Sequence, residues 1–167
     1  YYSMDFERRD VSVPFRWSGS VWATTIVTLL LLGGTGLGLV LSPVRPLAII
    51  VLASVLVVVG CMPIRLKVND EKIIVKRLLG VLEIPLNNVI EVNRISKSCV
   101  KKSIRTFGSG GFFGYLGYFY NGSVGHYIMY ATELNDLIFI RTGRKKYVFS
   151  CSRPEEFIEY VNLLLKR

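Results

Sequence analysis

Between Trp17 and Ile64 the chain carries a single charge, Arg45, among residues that are otherwise uncharged and mostly apolar. A helix needs about 20 apolar residues to cross about 30 Å of hydrocarbon, and Arg45 divides this stretch into Trp17–Val44 and Pro46–Ile64. The pattern predicts a transmembrane helical hairpin at 17–63, with spans at about 20–41 and 46–63. Ser42-Pro43-Val44-Arg45-Pro46 supplies the turn, its two prolines ending one helix and starting the next. Pro63 ends the second span or kinks it. The run is too long for a cleaved signal peptide, and these five residues are not a small-x-small cleavage site.

Residues 1–16 are mixed in charge and read as a short frayed or interfacial lead-in, Tyr1–Ser3 ahead of Met4 being set aside. Phe15 and Trp17 beside Arg16 mark a boundary between water and lipid. Arg8, Arg9 and Arg16 flank the first span, and Arg65, Lys67, Lys72, Lys76 and Arg77 follow the second, against one Arg in the loop. Both termini are therefore expected in the cytoplasm. Within the first span Gly34 and Gly38, four apart, suit close helix packing, either against the second span of the same chain or across a dimer.

After Pro63 the period changes. Ile64, Leu66 and Val68 alternate with Arg65 and Lys67, Asn69–Lys72 supplies a turn, and Ile73–Leu79 resumes as a strand. Leu82–Pro85 is a further short strand. Asn87–Ser96 alternates again, as in an antiparallel sheet with one wet face. Leu137–Arg141 and Tyr147–Cys151 form two more strands around a Thr142–Lys145 turn. Ser152 with Glu155, and Pro154 between them, has the form of a capping box. Phe157, Ile158, Val161, Leu164 and Leu165 then share one face of a helix at 153–166. Six or seven strands and one closing helix result.

From Ile64 onward 17 Lys or Arg oppose 9 Asp or Glu. With a bilayer a few residues away, an anionic lipid surface explains this excess more economically than nucleic acid, which is not expected as a partner. Lys97, Lys101, Lys102 and Arg105, joined by Arg144, Lys145 and Lys146, are the candidate surface for anionic lipid or a protein partner. An ordinary solvated edge is the alternative, since cations also protect exposed strands.

The run Phe107–Tyr130 interleaves seven glycines with nine aromatic residues. It lacks dinucleotide and P-loop spacing. Glycines facing large aromatics across neighbouring strands explain most of it. An exposed aromatic loop at Phe112, Phe113 and Tyr115, reaching the interface or a partner, is the second reading.

Catalysis has little material. His126 is the only histidine, Glu155, Glu156 and Glu159 sit at a helix start where negative charge is stabilising, and Cys61, Cys99 and Cys151 lack metal spacing. No enzyme activity, metal or cofactor is expected.

The pieces Ile84–Val89, Arg105 with Gly108–Gly125, Tyr130-Ala131-Thr132, Leu137–Ile140, Tyr147–Ser150 and Arg153–Phe157 occur in an order that resembles the bacterial PH (pleckstrin-homology-like) domain families. Many members carry two membrane spans ahead of the domain. The resemblance covers 64–167. It implies an α+β membrane protein: the two-helix hairpin followed by a PH-like antiparallel β-sandwich or open barrel with a C-terminal capping helix. It also implies a bacterial inner-membrane location. No shared phosphoinositide signature exists in these families, so no lipid specificity is carried over. A domain tethered by two spans does not need headgroup affinity for recruitment. The expected work is binding or scaffolding at the cytoplasmic membrane face, through protein partners or self-assembly. Two alternatives stay open: sensing of anionic headgroups, and service as an accessory subunit of a transport or secretion complex.

Overall fold

The computed structural model of the chain describes residues 11–111 and 114–166. The first element is a strand, β1 (Val11–Pro14), antiparallel to β2 (Pro63–Val68), with Val11 opposite Val68 and Pro14 opposite Arg65. Val13 and Phe15 are buried in the main core. Burial of these two offsets the entropy of ordering a short edge strand. Residues 11–14 therefore belong to the sheet and not to a frayed lead-in.

Two helices follow, α1 (Gly19–Val40) and α2 (Arg45–Gly60). Ser18 caps the first, its Oγ accepting from the Val21 N–H at 3.4 Å. At 1.5 Å per residue they are about 33 Å and about 24 Å long. Among the described residues α1 is the one helix long and apolar enough to cross a membrane; α2 is equally apolar but shorter. The second segment does not extend through Ile64 as a helix, because α2 ends at Gly60 and Pro63 opens β2. A Cβ on Gly34 or Gly38 would meet nothing within 4 Å. The expected close approach of these glycines to the second helix of the same chain is therefore absent.

β2, β3 (Lys72–Arg77) and β4 (Val81–Pro85) complete a four-stranded antiparallel sheet in the order β1-β2-β3-β4. Leu66, Val68, Ile73 and Val75 are buried at alternate positions, as the period-2 pattern predicts. A 3₁₀ turn, Leu86–Asn88, leads into β5 (Val89–Ile95). There the alternation fails: a bulge between Val89 and Glu91 turns both Val89 and Val92, three apart, into the core and leaves Ile90 exposed.

Next come α3 (Lys97–Lys101), β6 (Ile104–Gly111), β7 (Gly114–Asn121), β8 (Gly125–Ala131), β9 (Leu137–Thr142), β10 (Lys146–Ser150) and α4 (Pro154–Leu165). The second sheet has six strands in the order β5-β9-β10-β8-β7-β6. It is not wholly antiparallel, because β10 runs parallel to β8 with Val148 opposite Met129. The loop after Ala131 skips one strand position, and the β9–β10 hairpin folds back into the gap. Ten strands are present among the described residues, more than alternation predicts.

The main core lies between the two sheets and under α4, with Leu66, Ile73, Ile138, Ile140, Phe149, Phe157 and Val161 at its centre. A second cluster forms on the other face of the six-stranded sheet, where Val100 of α3 covers Phe119, Tyr127, Met129 and Val148. The central strand β10 is thus buried on both faces, and Tyr147 to Ser150 are all buried. The predicted capping box is not made: Arg153 occupies the N-cap of α4 without a side-chain cap, and the Ser152 Oγ donates to the Pro14 carbonyl at 3.5 Å.

Cys151 follows β10, its N–H donating to the Asp136 carbonyl at 2.9 Å. Burial pushes its thiol up to about 11. A folded-state value above the unfolded one means that stability is unaffected below about pH 9 and is lost as pH rises from 9 toward 11. At pH 8 a disulfide reagent is expected to modify half-exposed Cys61 and Cys99 while Cys151 stays unreacted until denaturant is added. Equal rates at all three thiols in the folded protein would contradict this burial.

Candidate functional site

Strand register fixes where the cationic residues lie. Gly125, Asn121, Thr142 and Lys146 occupy one end of the six-stranded sheet, and Ala131, Leu137, Ser150 and Ile95 the other. β6 starts at the first end, with Ile104 opposite Tyr120. Arg105 is therefore at the same end as the Thr142–Lys146 turn.

α3 carries the chain across the outer face between the two ends. Lys97 sits at the far end, its Nζ donating to Asn135 Oδ1 at 3.0 Å. Lys101 and Lys102 sit near the Arg105 end, held there by a polar network on buried Asn121. Its Nδ2 donates to the Cys99 carbonyl at 2.7 Å and to Ser103 Oγ at 3.1 Å, and the Tyr127 hydroxyl donates to the same Oγ at 2.7 Å. Burial raises the Tyr127 hydroxyl above its ordinary value, so it remains a donor at neutral pH.

The Thr142–Lys146 turn is similarly fixed. Thr142 Oγ1 donates to the Lys145 carbonyl at 2.8 Å, the Gly143 N–H reaches the Asn88 carbonyl at 3.2 Å, and Lys146 Nζ donates to the Val124 carbonyl. Arg144 and Lys145 line a half-open cleft of about 670 Å³ facing Glu83, Pro85 and Asn88. Glu83 is already paired with Lys72 at 2.8 Å. Six of the seven candidate cations thus share one end of the sheet, and Lys97 does not. They form an arc: neighbouring strands are about 4.8 Å apart, so β6 and β10 are separated by about 14 Å.

The helices leave from the other end. The Ser18 N–H donates to the Thr132 carbonyl at 3.2 Å, and the Thr132 hydroxyl donates to the Arg16 carbonyl. Thr132 follows the last residue of β8, whose seven residues span about 20 Å from Gly125. Hence the cationic arc and the root of α1 are about 20 Å apart along the strands.

The aromatic-loop candidates are separated as well. Tyr115 lies in β7 opposite Ala131 and packs, half-buried, on the second core cluster, so it is not part of an exposed loop. Phe112 and Phe113 lie outside the described residues. In the glycine run, Gly110 faces Tyr115 as predicted, but Gly108 faces Gly117 and Gly111 faces Gly114. The Gly108–Gly117 pair brings backbone against backbone, a feature that composition alone does not distinguish from glycine against aromatic.

A protein-family model described as Bacterial PH domain matches residues 64–164. The chain belongs to the bacterial PH domain family. Comparison with curated proteins and with solved structures gives no match. In bacterial PH domain terms, the match takes in β2 through nearly all of α4, while β1 and both apolar helices precede it. Domains of this kind are generally binding modules without catalysis, and no group of three metal-ligating side chains gathers among the described residues.

Proposed function

We propose that this protein is a membrane-anchored scaffold whose bacterial PH domain binds an acidic protein surface on the cytoplasmic side of the bacterial inner membrane, with α1 and α2 crossing the bilayer as a hairpin. The apolar surface of the two helices supports the anchoring. Leu30, Leu31, Leu37, Ile49, Ile50 and Val57 are exposed on the helices, and so much apolar surface on slender helices suits lipid better than water. The six cations near β6 and the β9–β10 turn carry the choice of partner. Electrostatic attraction in physiological salt fades over about 8 Å, so cations about 20 Å from the root of α1 gain little from the bilayer that holds the chain. An acidic macromolecular partner in the aqueous phase uses them better than headgroups do.

The test is charge reversal at Lys101, Lys102 and Arg105 in the full chain, followed by purification in mild detergent. Partner chains that accompany the native protein are expected to be lost while the variant remains in the membrane fraction. Removing three cations from such a contact is expected to weaken it by at least about tenfold, mainly through slower association. Retention of the same chains by the variant would count against the cationic arc as the binding surface.

A further inference from the structure

The turn between β3 and β4 is joined to the end of α2. The Leu79 N–H donates to the Gly60 carbonyl at 2.8 Å, and the Leu78 N–H to the Met62 carbonyl at 3.0 Å. The Leu79 side chain covers Gly60 so closely that a Cβ there would stand 2.6 Å from Leu79 Cδ1. Turn and helix end therefore move as one body, and wherever α2 ends in the bilayer the turn goes with it.

α2 is too short to span hydrocarbon alone. Its 16 residues reach about 24 Å against about 30 Å of bilayer core. What surrounds its end is apolar: Leu78 is 52% exposed, Leu79 69%, and Val81 and Ile64 are also exposed. A single exposed leucine is ordinary, but four large apolar side chains around the stump of an apolar helix form a patch. Behind them stands a rim of cations. Pro14, Arg65, Lys76 and Val81 lie on one rung across the four-stranded sheet, with Arg77 on the next. Arg65 and Lys76 are exposed and make no ion pair among the described residues.

We infer that the β3–β4 turn, Leu78 to Val81, sinks into the interface of the bilayer crossed by α2, with Arg65 and Lys76 snorkelling to anionic headgroups above it. This rests on the membrane-anchored reading and assigns that reading a lipid-facing surface distinct from the cationic arc. The immersed turn extends the apolar reach of α2 by the missing 6 Å or so, in place of local thinning of the bilayer. Long cationic side chains on the rung of Val81, where the turn leaves the lipid, then meet the phosphates.

Spin labels on the full chain test it. Cys61→Ser and Cys99→Ser remove the accessible thiols, and labels are introduced singly by Leu30→Cys, Leu79→Cys and Gly143→Cys, with Leu78→Cys as a second position in the turn. Each protein is placed in nanodiscs of phosphatidylglycerol and phosphatidylcholine in a three-to-seven ratio, and collision with oxygen is compared with collision with a water-soluble nickel chelate. The turn labels are expected to favour oxygen as the Leu30 label does, and the Gly143 label to favour nickel. Adding Arg65→Gln with Lys76→Gln is expected to abolish the oxygen preference at the turn. Turn labels as open to nickel as Gly143, while Leu30 stays in lipid, would overturn the inference and spare the anchor. A Leu30 label in water would overturn both. Turn labels shielded from both reagents would overturn it in favour of a protein covering the turn.

Discussion

Replacing Gly117 with alanine is expected to unzip the β6–β7 edge of the six-stranded sheet and lower the melting temperature by more than about 10 °C. Gly117 has φ +127°, and an added Cβ would stand 2.2 Å from the Phe107 carbonyl oxygen and 2.7 Å from Gly108 Cα. Gly108, its register partner, has the same φ, and a Cβ there would stand 2.1 Å from the Leu116 carbonyl oxygen. Both obstacles are main chain, so no rotamer change relieves them and the strands must separate. Backbone strain of this kind costs about 1–3 kcal/mol, before the lost hydrogen bonds and the exposure of Phe119 and Tyr127 in the second core are added. A domain with about 5–15 kcal/mol in total survives this only marginally. Near-UV circular dichroism of the full chain during heating, in mild detergent, reads the effect through the aromatic residues of that sheet. Gly143→Ala is the control, since a Cβ there meets nothing within 4 Å. A Gly117→Ala melt indistinguishable from the control would show that β6 and β7 do not approach as closely as described.

The second large effect is expected at Phe157. Its side chain is 0% exposed in the main core, where α4 covers the strands, and with Val161 it anchors the closing helix. Truncating a buried Phe to Ala costs about 3–5 kcal/mol, because transfer energy is lost and a cavity remains. Phe157→Ala should therefore release α4, measured as faster cleavage by a glutamate-specific protease after Glu156 and Glu159 within the helix and a melt lowered by about as much as for Gly117→Ala. Leu163→Ala, on the exposed side of the same helix, should change neither. Protection of the α4 cleavage sites in Phe157→Ala would mean that the remaining apolar residues hold the helix without it.

These two sites differ in how they could be found. Phe157 is legible because Phe157, Val161 and Leu164 recur at the spacing of one helix face, and a helix with one apolar face must cover something. Gly117 is not. Alternation of polar and apolar residues marks a strand with one wet face, whereas β8 is flanked by core on both sides and the exposed positions of β7, Tyr118 and Tyr120, are themselves aromatic, so the polarity signal disappears into glycine and aromatic residues. The strand Val11–Pro14 was hidden for another reason. It is four residues long, and its partner β2 lies beyond two helices, so nothing local announces the pairing. α3 was hidden because the five residues Lys97–Lys101 are too few for a periodic signal. Their charge was visible, but the role of Val100 in covering the second core was not.

The sequence by itself determined the parts whose cause is local or compositional: the apolar stretch ahead of Pro63, the β2–β3 hairpin, the amphipathic α4, the excess of cations and the family. Tertiary structure alone decided which residues share an end of the molecule. A charge carries no record of how far it will lie from a helix that precedes it by 80 residues or more; strand register sets that distance. The parallel pairing of β8 and β10 and the hydrogen bonds from Leu78 and Leu79 to the end of α2 are long-range contacts. They are chosen by how the whole chain buries its apolar surface while satisfying its backbone.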